Sequence, residues 1–146
     1  MRKLDRWRHL AKDERRLLLE AVGELARARV VLWFRPFSSV WLGLEGRRRA
    51  ADRGLGLDAV DPSAVARAVR RASRLVPMAN CLPQALATYT LLARRGIESE
   101  VRLGVARDGQ RFKAHAWVEL DGIVLIGKVD DLHRYEPLPQ LPRRYP

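Results

Sequence analysis

Cysteine and histidine are the residue types here from which covalent chemistry can be built. Cys81 is the single cysteine of the chain. It follows Asn80, a residue type that caps helix N-termini, and it opens the apolar helical stretch CLPQALATYTLLARR. The unpaired N–H groups and the positive dipole end of a helix favour a thiolate over a thiol. At Asn80 and Leu82 the same helix start can hold the oxyanion formed on an attacked carbonyl. His115 lies in KAHAWVEL, where Ala114, Ala116, Val118 and Leu120 alternate with Lys113, His115, Trp117 and Glu119, the pattern of a strand. The gap between the two residues (115 − 81 = 34) leaves room for one helix and one strand. A helix laid on the sheet can then bring its N-terminus to the histidine strand, giving a nucleophile beside a base. A buried inert thiol and a structural histidine are the other reading of the same residues.

These residues must be positioned by what surrounds them. The chain has 146 residues and 47% hydrophobic content, the size and composition of one packed domain. A single cysteine excludes an intrachain disulfide and a multi-cysteine zinc site. His9, His115 and His133 lack metal-site spacing, so neither a metal nor a cofactor is expected. The start, MRKLDRWRHLAKDERR, is charged with no apolar core behind it, and the longest apolar run, Val30 to Phe34, is too short to span a bilayer. A soluble, cytoplasmic chain without stable membrane insertion is expected. The formal net charge of +11, from 28 Lys+Arg against 17 Asp+Glu, suits either a solvated surface or an acidic partner.

The periodicity predicts helix over roughly Leu4 to Phe34, with Leu17, Leu18, Ala21, Val22, Leu25, Ala28 and Leu32 at helical spacing and a stop at Arg35-Pro36. Leu4, Trp7 and Leu10 can form a short helix of their own. Phe37 to Gly56 is less regular, with Trp41, Leu42 and Leu44 packing in a short helix or loop. Trp7, Trp33 and Trp41 read as core or edge packing. Asp61-Pro62 starts a second helix, N-cap then first-turn proline, whose apolar face is Val65, Ala68, Val69, Ala72 and Leu75. Arg67, Arg70, Arg71 and Arg74 fall on its solvated side, and Val76-Pro77 ends it. In the helix opened by Cys81, Leu82, Ala85, Leu86, Tyr89, Leu92 and Ala93 have the spacing of a buried face, and Gly96 is the stop after Arg94 and Arg95. Three strands follow: Val101 to Val105, the histidine strand, and Ile123 to Ile126, with turns at Asp108-Gly109 and Asp121-Gly122. The fold class is therefore α+β, with N-terminal helices packed on a small antiparallel sheet. One domain over 1–146 is expected: a mainly helical part to residue 77, the nucleophile helix and sheet over 78–134, and a proline-rich surface tail over 135–146.

The runs NCLPQALATYTLLARRGI, VRLGV and AHAWVELDGIVLIG together resemble the transglutaminase-like leader peptidases of lasso-peptide biosynthesis, the protease half of the split maturation B protein. The resemblance covers about half the chain closely. It implies a transglutaminase-like, papain-like cysteine protease core with Cys81 as nucleophile and His115 as general base and acid. It implies removal of the leader from a ribosomally made precursor peptide, with a small leader-binding companion protein and a separate lasso cyclase as partners. It also implies a third catalytic residue, a carboxylate on the strand after the histidine. With Asp121-Gly122 as a two-residue turn, Leu120 faces Ile123, and counting outward sets His115 against Lys128. Gly127-Lys128 stands there instead of an acid. Asp130, two residues further on the same face, is the expected orienting residue; Asp131, Asp121 and Glu119 are the other carboxylates in range, and a Cys–His dyad remains if none serves. Acyl transfer to an amine uses the same pair, so a transglutaminase or N-acyltransferase is the second enzyme reading. A basic scaffold without catalysis, binding peptide or nucleic acid, is the third. No nucleic-acid motif is present and the arginines are scattered, so no nucleic-acid partner is expected.

Overall fold

The computed structural model describes residues 11–40, 43 and 60–139. Leu4, Trp7, His9, Leu10, Trp41, Leu42 and Leu44 lie outside them, as does the end of the proline-rich tail.

Helix α1 runs Lys12–Phe34 and carries Asp13 and Glu14 in its first turn, where they complement the dipole. It buries Leu17, Leu18, Ala21 and Leu25, with Val22, Ala28 and Leu32 packed at the margin of the core. Trp33 departs from expectation. It is 75% exposed, alongside Phe34 and Val30, on the side of the helix away from Leu32, which packs at the margin of the core.

Helix α2 spans Pro62–Ala72. Asp61 caps it: its Oδ1 accepts from the Ser63 backbone N–H at 3.0 Å, and its Oδ2 accepts from the Ser63 hydroxyl at 2.6 Å. Those two bonds hold the Asp61 carboxyl below its ordinary value. Val65, Ala68, Val69 and Ala72 are buried as the spacing predicts. The helix ends at Ala72 in a series of turns, ahead of Val76-Pro77, and this leaves Leu75 exposed.

Helix α3 spans Cys81–Ala93 and is the centre of the molecule. It packs on α1, on α2 and on the sheet. Burial is therefore not confined to one face: every residue from Ala85 to Ala93 is buried. Its C-terminus closes with Gly96 at φ +70, the Ile97 N–H donating to Leu92 O at 3.0 Å and the Gly96 N–H to Ala93 O at 3.0 Å. This is the 6→1 and 5→2 pair of a Schellman stop. Arg94 and Arg95 reach α1, where Arg94 pairs with Glu24 and Arg95 donates to Glu20 at 2.7 Å.

The sheet is antiparallel in the order β3-β2-β1-β4, with β1 at Glu100–Asp108, β2 at Arg111–Leu120, β3 at Ile123–Ile126 and β4 at Glu136–Pro137. Asp121 and Gly122 both take positive φ, +50 and +79, as a primed two-residue hairpin turn requires. β4 is an addition to the expected three strands: part of the segment read as a surface tail pairs with Gly104 and Val105 at the edge of β1. Val101, Ala116, Val118 and Ile126 face the helices and complete the core.

The ladder between β2 and β3 carries a bulge. Glu119 faces Val124, but Val118 faces Ile126, so Leu125 is the extra residue. Its carbonyl accepts a hydrogen bond from Arg70 of α2. Arg70, expected on a solvated side, thus ties α2 to the bulge.

Because Leu91 is fully buried in the last turn of α3, Leu91→Ala should lower stability by about 2–5 kcal/mol. Leu19→Ala, at an exposed position of α1, should change it by no more than about 0.5 kcal/mol. Urea unfolding followed by circular dichroism measures both.

Candidate active site

Cys81 is the first residue of α3, with Asn80 at the N-cap in an extended conformation. The Asn80 side chain makes no capping hydrogen bond. Gln84 does that tying instead: its side-chain amide donates to Ala79 O at 2.7 Å, and its backbone N–H donates to Asn80 O at 3.3 Å. Pro83 has no N–H to offer. Among the described residues, no hydrogen bond takes the N–H groups of Cys81 and Leu82. The backbone enters this corner through Met78 at φ +57, an uncommon conformation for a residue with a side chain. Cys81 itself is half-buried, its thiol free and packed at the margin of the core. Burial falls steadily along this end of the helix, from buried Pro83 through half-buried Leu82 and Cys81 to exposed Asn80.

His115 lies on β2, half-buried, opposite Gly104 of β1. Strand alternation places it with Lys113, Trp117 and Glu119 on the face away from Ala116 and Val118, which pack on the helices. Its ring stacks on Trp117 with centroids 6.1 Å apart and meets Tyr135 at 5.3 Å in a tilted contact. Tyr135 comes from the segment just before β4, so the edge strand brings an aromatic wall to the histidine. Gly104 permits this crowding: a Cβ there would stand 2.8 Å from the Trp117 ring and 3.0 Å from Tyr135 Cβ. Two residues along β2, Lys113 donates to Asp108 at 2.9 Å. That bond holds Asp108 below and Lys113 above their ordinary values.

Nε2 of His115 stands 2.6 Å from the main-chain carbonyl oxygen of Gly127. The bulge is the reason that simple counting fails here: the ladder ends at Val118–Ile126, and no His115–Lys128 pair forms. Asp130 is exposed, and among the described residues no hydrogen bond or ion pair joins it to His115. The expectation that Asp130 orients the imidazole finds no contact to support it. Glu119 is engaged elsewhere, its Oε1 accepting from Trp117 Nε1 at 2.8 Å and its Oε2 lying 3.5 Å from Arg102. Asp121 is taken up by the hairpin turn. Asp131 precedes a short 3₁₀ turn at Leu132–Arg134, its backbone carbonyl accepting from Arg134 at 2.9 Å.

The fold thus puts Cys81 at a helix start, and His115 on the strand against which that helix packs. It does not join them: among the described residues, no hydrogen bond links the thiol to the imidazole. Three contributors escaped the sequence reading. Gln84 sits at helical spacing and reads as an ordinary polar position; Tyr135 falls in a segment read as tail; Gly127 was visible only as a missing acid. Among the described residues, no group of three or more potential ligands is placed to hold a metal ion. No helix among them is long and apolar enough to cross a membrane.

The model of the transglutaminase-like superfamily matches residues 22–140. The chain belongs to that superfamily, whose members are generally cysteine peptidases or acyl transferases. Neither the curated proteins nor the solved structures contain a match to it.

Gly104→Ala should destabilise the chain by about 1–3 kcal/mol, because the new methyl meets the Trp117 ring behind His115. Urea unfolding measures the loss, and near-ultraviolet circular dichroism should show the tryptophan displaced.

Proposed function

We propose that this protein is a cysteine peptidase that removes the leader from a ribosomally synthesised lasso precursor peptide. The observation that carries the reading is the placement of Cys81 at the start of the central helix of a transglutaminase-like chain. His115 on the adjoining strand supports it, as do the runs NCLPQALATYTLLARRGI and AHAWVELDGIVLIG.

In this reading the Cys81 thiolate attacks the carbonyl carbon at the leader–core junction. The oxyanion is held by the open N–H groups of Cys81 and Leu82. As the tetrahedral intermediate collapses, the peptide C–N bond breaks, and His115 donates a proton to the departing amine of the core. A water molecule, deprotonated by His115, then attacks the thioester, and the leader leaves with a free carboxylate while Cys81 returns as thiolate. The step needs Sγ of Cys81 and the free ring nitrogen of His115 within hydrogen-bond reach, a contact absent among the described residues that has to form when substrate is seated. A small companion protein presents the leader, and a separate cyclase closes the ring on the freed N-terminus.

Superfamily membership is equally consistent with acyl transfer, in which an amine takes the place of water. Mass spectrometry of the precursor incubated with the protein and its companion separates the two. Two fragments summing to the precursor plus water are expected, and a new amide or isopeptide would make the enzyme a transferase. Cys81→Ala should lower cleavage by about a thousandfold or more, and full activity in that variant would end the reading.

The net charge of +11 suits docking to an acidic leader or companion. Raising the salt concentration should weaken assembly with the companion; assembly indifferent to salt would remove the electrostatic part of the docking.

A further inference from the structure

Gly127 carries the observation that the reaction scheme leaves unused. We propose that its main-chain carbonyl, in place of a carboxylate side chain, is the group that orients His115. The inference rests on His115 as the base of the proposed peptidase, and it specifies how that base is held.

Three features point the same way. Nε2 of His115 lies 2.6 Å from Gly127 O. A carbonyl oxygen can only accept, so Nε2 carries the proton of the neutral ring, and Nδ1 is left as the nitrogen able to take a proton from a thiol. Gly127 is held where only glycine fits. Its φ is +86, and a Cβ would stand 2.6 Å from Ala116 O and 2.8 Å from Trp117 Cβ. The backbone at 127 therefore lies flush against β2, which brings its carbonyl within reach of the ring. Lastly, no carboxylate takes that place: Glu119 bonds Trp117 and Arg102, Asp121 sits in the hairpin turn, and among the described residues neither Asp130 nor Asp131 bonds His115. The bulge at Leu125 is what brings the chain into this position, since it advances the third strand by one residue relative to β2. Stacking on Trp117 and the tilted contact with Tyr135 fix the plane of the ring.

Gly127 is thus a positioning residue, acting through His115. The test is NMR on the full chain carrying nitrogen-labelled histidine, at about pH 8, above the ordinary imidazole range. His115 is assigned by the signal lost in His115→Gln. A His115 Nε2–H exchanging with water about tenfold or more slowly than the exposed His133 is expected. A proton on Nδ1, or exchange as fast as that of His133, overturns the proposal.

Cleavage assays supply the second arm. Asp130→Asn and Asp131→Asn should each keep kcat within about threefold of the wild type, with an unchanged pH profile. A loss of about a hundredfold, or a displaced acid limb, in either one makes that carboxylate the orienting group and overturns the proposal. Gly127→Ala should lose the slow proton and lower kcat by about tenfold or more with a smaller change in KM; a folded Gly127→Ala protein that keeps both overturns it. Should that variant not fold, the wild-type exchange measurement decides alone. A wild type that leaves the precursor uncut yet shows the slow Nε2 proton would end the peptidase reading and leave the orienting bond standing. Cleavage without the slow proton is the reverse result.

Discussion

The enclosure of α3 is the constraint on which the rest of the structure depends. From Ala85 to Ala93 the helix has no solvent face. α1, α2 and the sheet all pack on it. Alanines at 85, 87 and 93 let the neighbouring elements approach closely, and Leu86, Leu91 and Leu92 fill the space between them. At its far end the Schellman stop and the pairs Arg94–Glu24 and Arg95–Glu20 tie α3 to α1. With its middle enclosed and its C-terminus tied, the helix holds its N-terminus in place. Cys81 therefore stands on a rigid element, at the point where burial gives way to solvent. A reactive group gains precision from this, because a side chain on a packed helix wanders less than one on a loop.

The histidine depends on a different device. A regular hairpin would have carried β3 alongside β2 in simple register, with its side chains alternating past His115. The extra residue at Leu125 ends that ladder at Val118–Ile126 and turns the following backbone in against β2. What reaches the imidazole is then main chain at Gly127. A carbonyl selects the tautomer and fixes the ring, as a carboxylate would, but in the proposed reaction it brings no full negative charge to an imidazolium at His115. In a site built this way, less of the stabilisation comes from the orienting group, and more must come from the thiolate end and the oxyanion contacts.

How far the sequence could be read follows from how local each signal is. Asp61-Pro62, Gly96 and Asp121-Gly122 are each decided by backbone chemistry within a few residues, and each stands in the structure where it was expected; α3 also starts at Asn80-Cys81, but without the side-chain cap that Asn80 suggested. The bulge is not local. One added residue in a four-residue strand leaves no mark in composition or alternation, and the preference for it comes from Ile126 entering the core and Arg70 taking the Leu125 carbonyl across fifty-five positions. β4 is two residues, one of them proline, and its pairing with β1 depends on where Tyr135 lands against Gly104. The sequence named Cys81 and His115 by residue type and placed them correctly on a helix start and a strand. The partner of His115 was out of reach, because that partner is a carbonyl, and every residue has one.

The basic surplus also divides once the structure is in view. Arg94 and Arg95 fasten α3 to α1, Arg27 joins Glu24 beside Arg94, Arg102 spans Glu100 and Glu119, and Arg70 holds the bulge. These guanidiniums do structural work that a planar, always-charged fork suits better than an ammonium. Those paired with Glu20, Glu24, Glu100 and Glu119 are poorer candidates for recognising an acidic peptide, since a carboxylate within the fold already answers their charge. Arg71 on α2 and Arg74 just after it are different: both are exposed, and among the described residues neither is joined to a carboxylate. For the proposed docking to an acidic leader or companion, Arg71 and Arg74 are freer than the arginines already paired with carboxylates, so less of the surplus serves docking than the total of +11 suggests.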